Sequence, residues 1–155
     1  MVKPIKIQVY IDLENIQPPH AEERARLRVS RLLSGIKKYL EADGYCIERV
    51  WACSKPRAPQ GTRRVIDEVF ADFGYVMYWT KQAIADYEIR QQLRVRWEAG
   101  ILSPAILFIS NDNDFSRDLL ILRGAGIEVL VSGTSVGSQL RQSASRIIAF
   151  SEMAQ

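Results

Sequence analysis

The stretch Ala105-Ile106-Leu107-Phe108-Ile109-Ser110-Asn111-Asp112-Asn113-Asp114-Phe115 decides how the chain is read. Five apolar residues in a row, bounded by Pro104 and a polar cluster, spell a strand buried on both faces. Asp112 and Asp114 at its mouth have no packing job there. A second acidic group, Asp12-Leu13-Glu14-Asn15, stands in the same position after residues 5–11, where Ile5, Ile7, Val9 and Ile11 fall on one side. Carboxylates at the ends of two buried strands suggest a divalent cation site.

Outward from these two points the chain alternates short apolar runs with amphipathic stretches. Strands are expected over residues 5–11, 46–51, 75–79, 105–109 and 127–131. Helices are expected over 21–41, 62–70, 84–99, 114–123 and 138–150. The first helix carries Val29, Leu32, Leu33, Ile36 and Leu40 at helical spacing, and the last presents Leu140, Ala144, Ile147 and Ile148. Residues 53–61 read as a loop. Five strands alternating with five helices imply right-handed crossovers and an α/β fold with a mainly parallel sheet, helices on both faces. No internal repeat or linker divides the 155 residues, so residues 1–155 are expected to form one domain. Strand order 3-2-1-4-5 would make strands one and four neighbours at the point where the order reverses. Ligands bind there in such sheets, and the two acidic clusters would face each other.

Composition narrows the classes. The hydrophobic fraction of 47% and charged fraction of 25% are those of a soluble globular protein. A net charge of +3 is compatible with a nucleic-acid partner without requiring one. Cys46, Cys53 and the single His20 make neither a disulfide framework nor a zinc site, and reduced thiols point to the cytoplasm. The N-terminus runs straight into a strand with no signal-peptide core, and no apolar run reaches the length of a membrane helix. A homo-oligomer is compatible with all of this.

Two carboxylates about 4 Å apart repel by roughly 4 kcal/mol at an effective dielectric near 20. A cluster of that kind persists where a cation offsets the repulsion or one group is protonated. Mg²⁺ or Mn²⁺ takes a few carboxylates, keeps several waters, and suits phosphodiester hydrolysis. Asp114 is expected to cap the helix that follows. Asp112, since one cap suffices, is free for a metal.

Three segments together resemble a known family: Tyr10-Ile11-Asp12-Leu13-Glu14-Asn15, residues 81–86, and Ser110 to Phe115 ahead of Leu119-Leu120. They resemble the NYN domain, the branch of the PIN-like nucleases that includes the LabA-like group. The likeness extends through Arg123-Gly124-Ala125-Gly126-Ile127-Glu128-Val129 to Leu140-Arg141-Gln142-Ser143-Ala144-Ser145. It implies a three-layer PIN-like fold and a Mg²⁺- or Mn²⁺-dependent ribonuclease that uses water as nucleophile. Asp12, Asp86 and Asp112 would be its metal ligands. Asp114 would be a fourth carboxylate, and Asn15 would orient Asp12 or a bound water. The chain departs from the pattern at Gln91 and Gln92, where many members carry an aspartate, and at Asn111, where a glycine is usual. A lost ligand at Gln92 would leave a catalytically weakened module that binds RNA or protein.

Asp86 also suits the start of a helix, and Glu14 is an alternative ligand. Lys55, Arg57, Lys81, Arg90 and Arg94 are expected to rim the active edge and track the phosphates of single-stranded RNA. Arg24, Arg26, Arg28 and Arg31 read as the solvated face of the first helix. Trp51, Trp79 and Tyr78 end strands near the same edge, where aromatics can stack bases or simply pack. Two other phosphoryl-transfer classes fit poorly. A haloacid-dehalogenase-type phosphatase needs Asp-x-Asp where Asp12-Leu13-Glu14 stands, and a phospho-acceptor receiver needs an aspartate where Trp79-Thr80-Lys81 ends strand three.

Overall fold

A computed structural model describes residues 3–81 and 85–154, and the side chains of all of these except residues 85 and 86. The elements run β1 (Ile5–Asp12), a 3-10 turn (Leu13–Ile16), α1 (Glu22–Ala42), β2 (Tyr45–Ser54), α2 (Gln60–Phe73), β3 (Val76–Trp79) and α3 (Ala85–Glu98). They continue with β4 (Ala105–Ile109), a second 3-10 turn (Asn113–Phe115), α4 (Ser116–Gly124), β5 (Glu128–Ser132), α5 (Ser138–Ser143), β6 (Arg146–Ile147) and α6 (Phe150–Met153). The strands form one parallel sheet in the order β3-β2-β1-β4-β5-β6. β1 and β4 are adjacent at its centre, as the order of the first five strands requires.

Alternation along β1 builds the three layers. Ile7, Val9 and Ile11 join Val29, Leu33 and Ile36 of α1 and Ile66 and Phe70 of α2 in one core. Tyr10 faces the other way, with Phe108 of β4, Ile89 and Leu93 of α3, and Phe115 and Leu119 around α4. Each fully buried aliphatic side chain is worth about 1.5–3 kcal/mol, so two such cores fix the strand register.

Two elements differ from the sequence expectation. The last helix, expected over 138–150, ends at Ser143, whose hydroxyl turns back onto the Leu140 carbonyl oxygen at 2.6 Å. Ala144 is extended, and Arg146 and Ile147 pair with Leu130 and Val131 as a sixth strand. The helical spacing of Leu140, Ala144, Ile147 and Ile148 is real but is overridden by that pairing. β2 is also longer than expected, because Ala52, Cys53 and Ser54 pair with Met77, Tyr78 and Trp79 instead of opening a loop.

β2 carries one irregularity. Ile7 pairs with Ile47 but Gln8 pairs with Arg49, which leaves Glu48 as an extra residue opposite β1. The bulge turns Glu48 toward Gln8, whose amide nitrogen donates to Glu48 Oε1 at 3.0 Å and to the Ile101 carbonyl at 2.9 Å. The Tyr10 hydroxyl and Arg96 Nε both donate to Gln8 Oε1, at 2.6 and 3.3 Å. A polar cluster is thus built beneath α3, well below the carboxyl edge of the sheet.

Candidate active site

Asp12 is the last residue of β1 and is 1% exposed. A buried carboxylate needs several donors, and two are in place on Oδ2. Asn15 Nδ2, one 3-10 turn further on, is hydrogen-bonded to it, and Ser110 Oγ donates to it at 2.9 Å. Ser110 follows the end of β4, which runs beside β1 with Tyr10 opposite Phe108 and Ile11 opposite Ile109. The same hydroxyl accepts the backbone N–H of Asp112 at 3.1 Å. One serine oxygen therefore links the two acidic clusters, donating to the first and accepting from the backbone of the second.

Asp112 departs from expectation in one respect. Its own side chain is the cap: Oδ1 accepts the backbone N–H of Asp114 at 2.9 Å and opens the turn Asn113–Phe115. Asp114, expected to be the cap, is exposed and lies inside that turn. Capping occupies one oxygen of Asp112 and leaves a carboxylate with further acceptor capacity. Asp86 is the second residue of α3, and its side chain lies outside the described residues, as do residues 82–84 of the segment 81–86. Among the described residues, no three His, Cys, Asp or Glu side chains stand close enough together to hold a metal ion.

The loops behind the carboxylates are tied by two asparagines. Asn111 Oδ1 accepts the Ser135 N–H at 2.7 Å, and its Nδ2 donates to Thr134 Oγ1 at 2.8 Å. Asn113 Oδ1 accepts the Leu140 N–H at 3.0 Å, near the start of α5. Two glycines make room. A Cβ on Gly133 would come 2.6 Å from the Ser110 carbonyl oxygen, and one on Gly137 would collide with Asn113. Asn111, a departure from the family pattern, is thus a clamp between the β4 and β5 loops.

The basic residues divide. Lys55 and Arg57 follow β2, and Lys81 lies just past β3, all on the carboxyl edge of the sheet. Arg57 Nε lies 3.3 Å from Glu14 Oε1. Arg90 instead bonds Asp118 Oδ2 at 2.7 Å, and with Arg94 it lines a groove between α3 and α4 beside Trp97 and Ile121. Arg26 of α1 is tied to Glu68 on α2 at 3.0 Å. Gln92 accepts from Arg49 at 3.2 Å. Arg49 pairs with Gln8, and Gln8 is four residues down β1 from Asp12, about 13 Å along a strand. Gln92 therefore sits over the polar cluster and not at the acidic edge, which overturns its reading as an eroded ligand.

Ser110 is the residue that sequence reasoning passed over, although it heads the quoted motif. A serine ending a buried strand beside an aspartate cluster was the available signal. Glu14 and the loop after β2 also form a pocket of roughly 320 Å³ with Gln17, Pro18, His20, Lys55 and Trp79. It adjoins the site through register, because Asp12 pairs with Cys53 and Ser54 follows.

No family model matches the chain, and no curated protein matches it. Among solved structures the chain is similar to VPA0982 of Vibrio parahaemolyticus, described as a protein of unknown function. That match has a TM-score of 0.68 and 16% identity, and covers 96% of this chain and 94% of the other. The likeness is one of fold. The MAR1 ribonuclease of Caenorhabditis elegans aligns over 99% of this chain and 83% of its own, with a TM-score of 0.43 and 10% identity, too distant to bear on function.

Proposed function

We propose that the protein is a ribonuclease that hydrolyses RNA phosphodiester bonds at the carboxyl edge of β1 and β4 with Mg²⁺ or Mn²⁺. The observation that carries this reading is the Ser110 bridge, which brings the buried Asp12 carboxylate and the Asp112 turn within one hydroxyl of each other. The donor set is all hard oxygen, which fits Mg²⁺ or Mn²⁺. Asp12 and Asp112 would hold the ion, joined by Asp86 from the start of α3. When bound, it supplies an activated water and neutralises charge on the phosphoryl oxygens.

The chain's own residues do the remaining work. Asn15 and Ser110 fix the rotamer of Asp12 by bonding the same oxygen, so the carboxylate is preorganised. Asp114, exposed beside Asp112, offers a carboxylate to a second ion or to a water. Lys55 and Lys81 rim the edge and bind the phosphates of a single strand, with Arg57 beside them, paired with Glu14 and facing the RNA. The resemblance to NYN domains agrees with this assignment.

The test is cleavage of a mixed-sequence single-stranded RNA by the wild type with Mn²⁺, against Asp12→Asn and Asp112→Asn. Cleavage by the wild type alone is expected, together with a rise in melting temperature on adding Mn²⁺ that both variants lose. RNA binding without cleavage and without a Mn²⁺-linked shift would overturn the enzyme and leave a binding module on the same fold.

A further inference from the structure

The pocket beside the carboxylates has a polarity that the hydrolytic site does not use. Glu14 lines the pocket, and Glu14 Oε1 is buried and accepts no hydrogen bond. Arg57 Nε stands 3.3 Å from that oxygen, close enough to compensate its charge but outside hydrogen-bond geometry. Trp79, Pro18 and His20 also line the pocket. The Trp79 indole is held by a 2.7 Å bond from Nε1–H to Asp67 Oδ1, so its plane is set in advance. The surrounding backbone is also fixed. The buried Thr62 hydroxyl bonds the His20 carbonyl, Arg63 Nε donates to the Ala58 carbonyl at 3.1 Å, and Ser54 Oγ donates to the Lys55 carbonyl at 3.0 Å. A volume of roughly 320 Å³ admits one planar heterocycle with part of its sugar.

We infer that this pocket takes a guanine base of the RNA and sets which phosphate reaches Asp12 and Asp112. The inference deepens the ribonuclease reading and rests on it. The Watson–Crick edge of guanine presents an acceptor, O6, followed by two donors, N1–H and N2–H. A carboxylate next to a guanidinium offers the complementary order: Arg57, a largely exposed side chain, swings off Glu14 to donate to O6, and the Glu14 oxygens, Oε1 uncovered by that move, accept from N1–H and N2–H. Adenine, cytosine and uracil each put at least one like-polarity group against that pair, and an unmade bond to a buried oxygen is costly. Splayed single-stranded bases are recognised in this way, by stacking and edge hydrogen bonds. The unbonded Glu14 oxygen thus gains donors when guanine enters.

The test is binding, measured without metal so that no cleavage intervenes. Fluorescence anisotropy in EDTA compares labelled AAAGAAA with AAAAAAA, and UUUGUUU with UUUUUUU. The wild type should bind each guanine-containing strand about tenfold more tightly. Glu14→Gln turns one of the two acceptors into a donor, which opposes a guanine N–H, so the guanine preference should be lost. Arg57→Ala should weaken guanine binding without creating an adenine preference. Equal wild-type affinity for strands with and without guanine overturns the inference, as does a guanine preference that survives in Glu14→Gln. Failure of the ribonuclease reading shows differently, as guanine-selective binding with no Mn²⁺-dependent cleavage.

Discussion

Tyr10 shows how a single buried side chain reports on pH. It is fully buried, its hydroxyl donates to Gln8, and burial pushes its pKa up to about 12 despite Arg96 and Arg49 nearby. The folded pKa lies above the unfolded value near 10, so its stability contribution is complete below pH 10 and is lost as pH rises toward 12. The loss is of order 2 kcal/mol. Urea unfolding at pH 9 and pH 11 should show a steeper fall for the wild type than for Tyr10→Phe. Tyr45, whose pKa burial and Glu128 also raise to about 12, adds a slope common to both. A second prediction concerns Gln92. Because it bonds Arg49 over the polar cluster, Gln92→Asp should leave Mn²⁺ affinity unchanged in a calorimetric titration. Side chains were legible in the sequence where chemistry alone selects them, as with aspartates ending buried strands. They were not legible where backbone geometry decides. Whether Asp112 or Asp114 caps the turn depends on which N–H points back, and composition carries no trace of that.

Helices with a strong period were readable as elements: Val29, Leu32, Leu33, Ile36 and Leu40 of α1 are all buried, as are Val65, Ile66, Val69 and Phe70 of α2. The failures lie at sheet margins. β6 and the end of β2 exist because a neighbouring strand offers open hydrogen-bonding groups, which is a property of the partner and not of the segment. Trp97, at helical spacing from Leu93, is 42% exposed because α3 has run past the core by then. The β4 and β5 loops give the prediction proper to this scale. Gly133→Ala sets a methyl 2.6 Å from the Ser110 carbonyl oxygen, part of the backbone that carries the Asp12–Asp112 bridge. Overpacking of this kind costs about 1–3 kcal/mol. A fall in the urea midpoint is expected, with Mn²⁺-linked stabilisation reduced further than global stability accounts for.

At the scale of the molecule, Lys55 and Lys81 stand on the carboxyl edge of the sheet. Nonspecific contacts to a single strand give a salt slope of about −0.7 per neutralised phosphate. Replacing Lys55 and Lys81 by alanine should flatten the slope of RNA affinity against salt. Replacing Arg24, Arg26 and Arg28 on α1, where Arg26 is already paired with Glu68, should leave it nearly intact. Equal flattening in both variants would misplace the binding edge. The central position of β1 has one more outcome, which concerns time. Synthesis delivers β1 first, yet its partner β4 comes much later, and Asp12 meets Ser110 across 98 residues of chain. Distant pairings form late, because the entropy of closing so long a loop must be overcome first. The carboxylate pair is therefore absent from any growing chain that has not yet delivered β4. On the proposed function, no RNA-cutting centre exists on the ribosome until β4 has emerged and found β1.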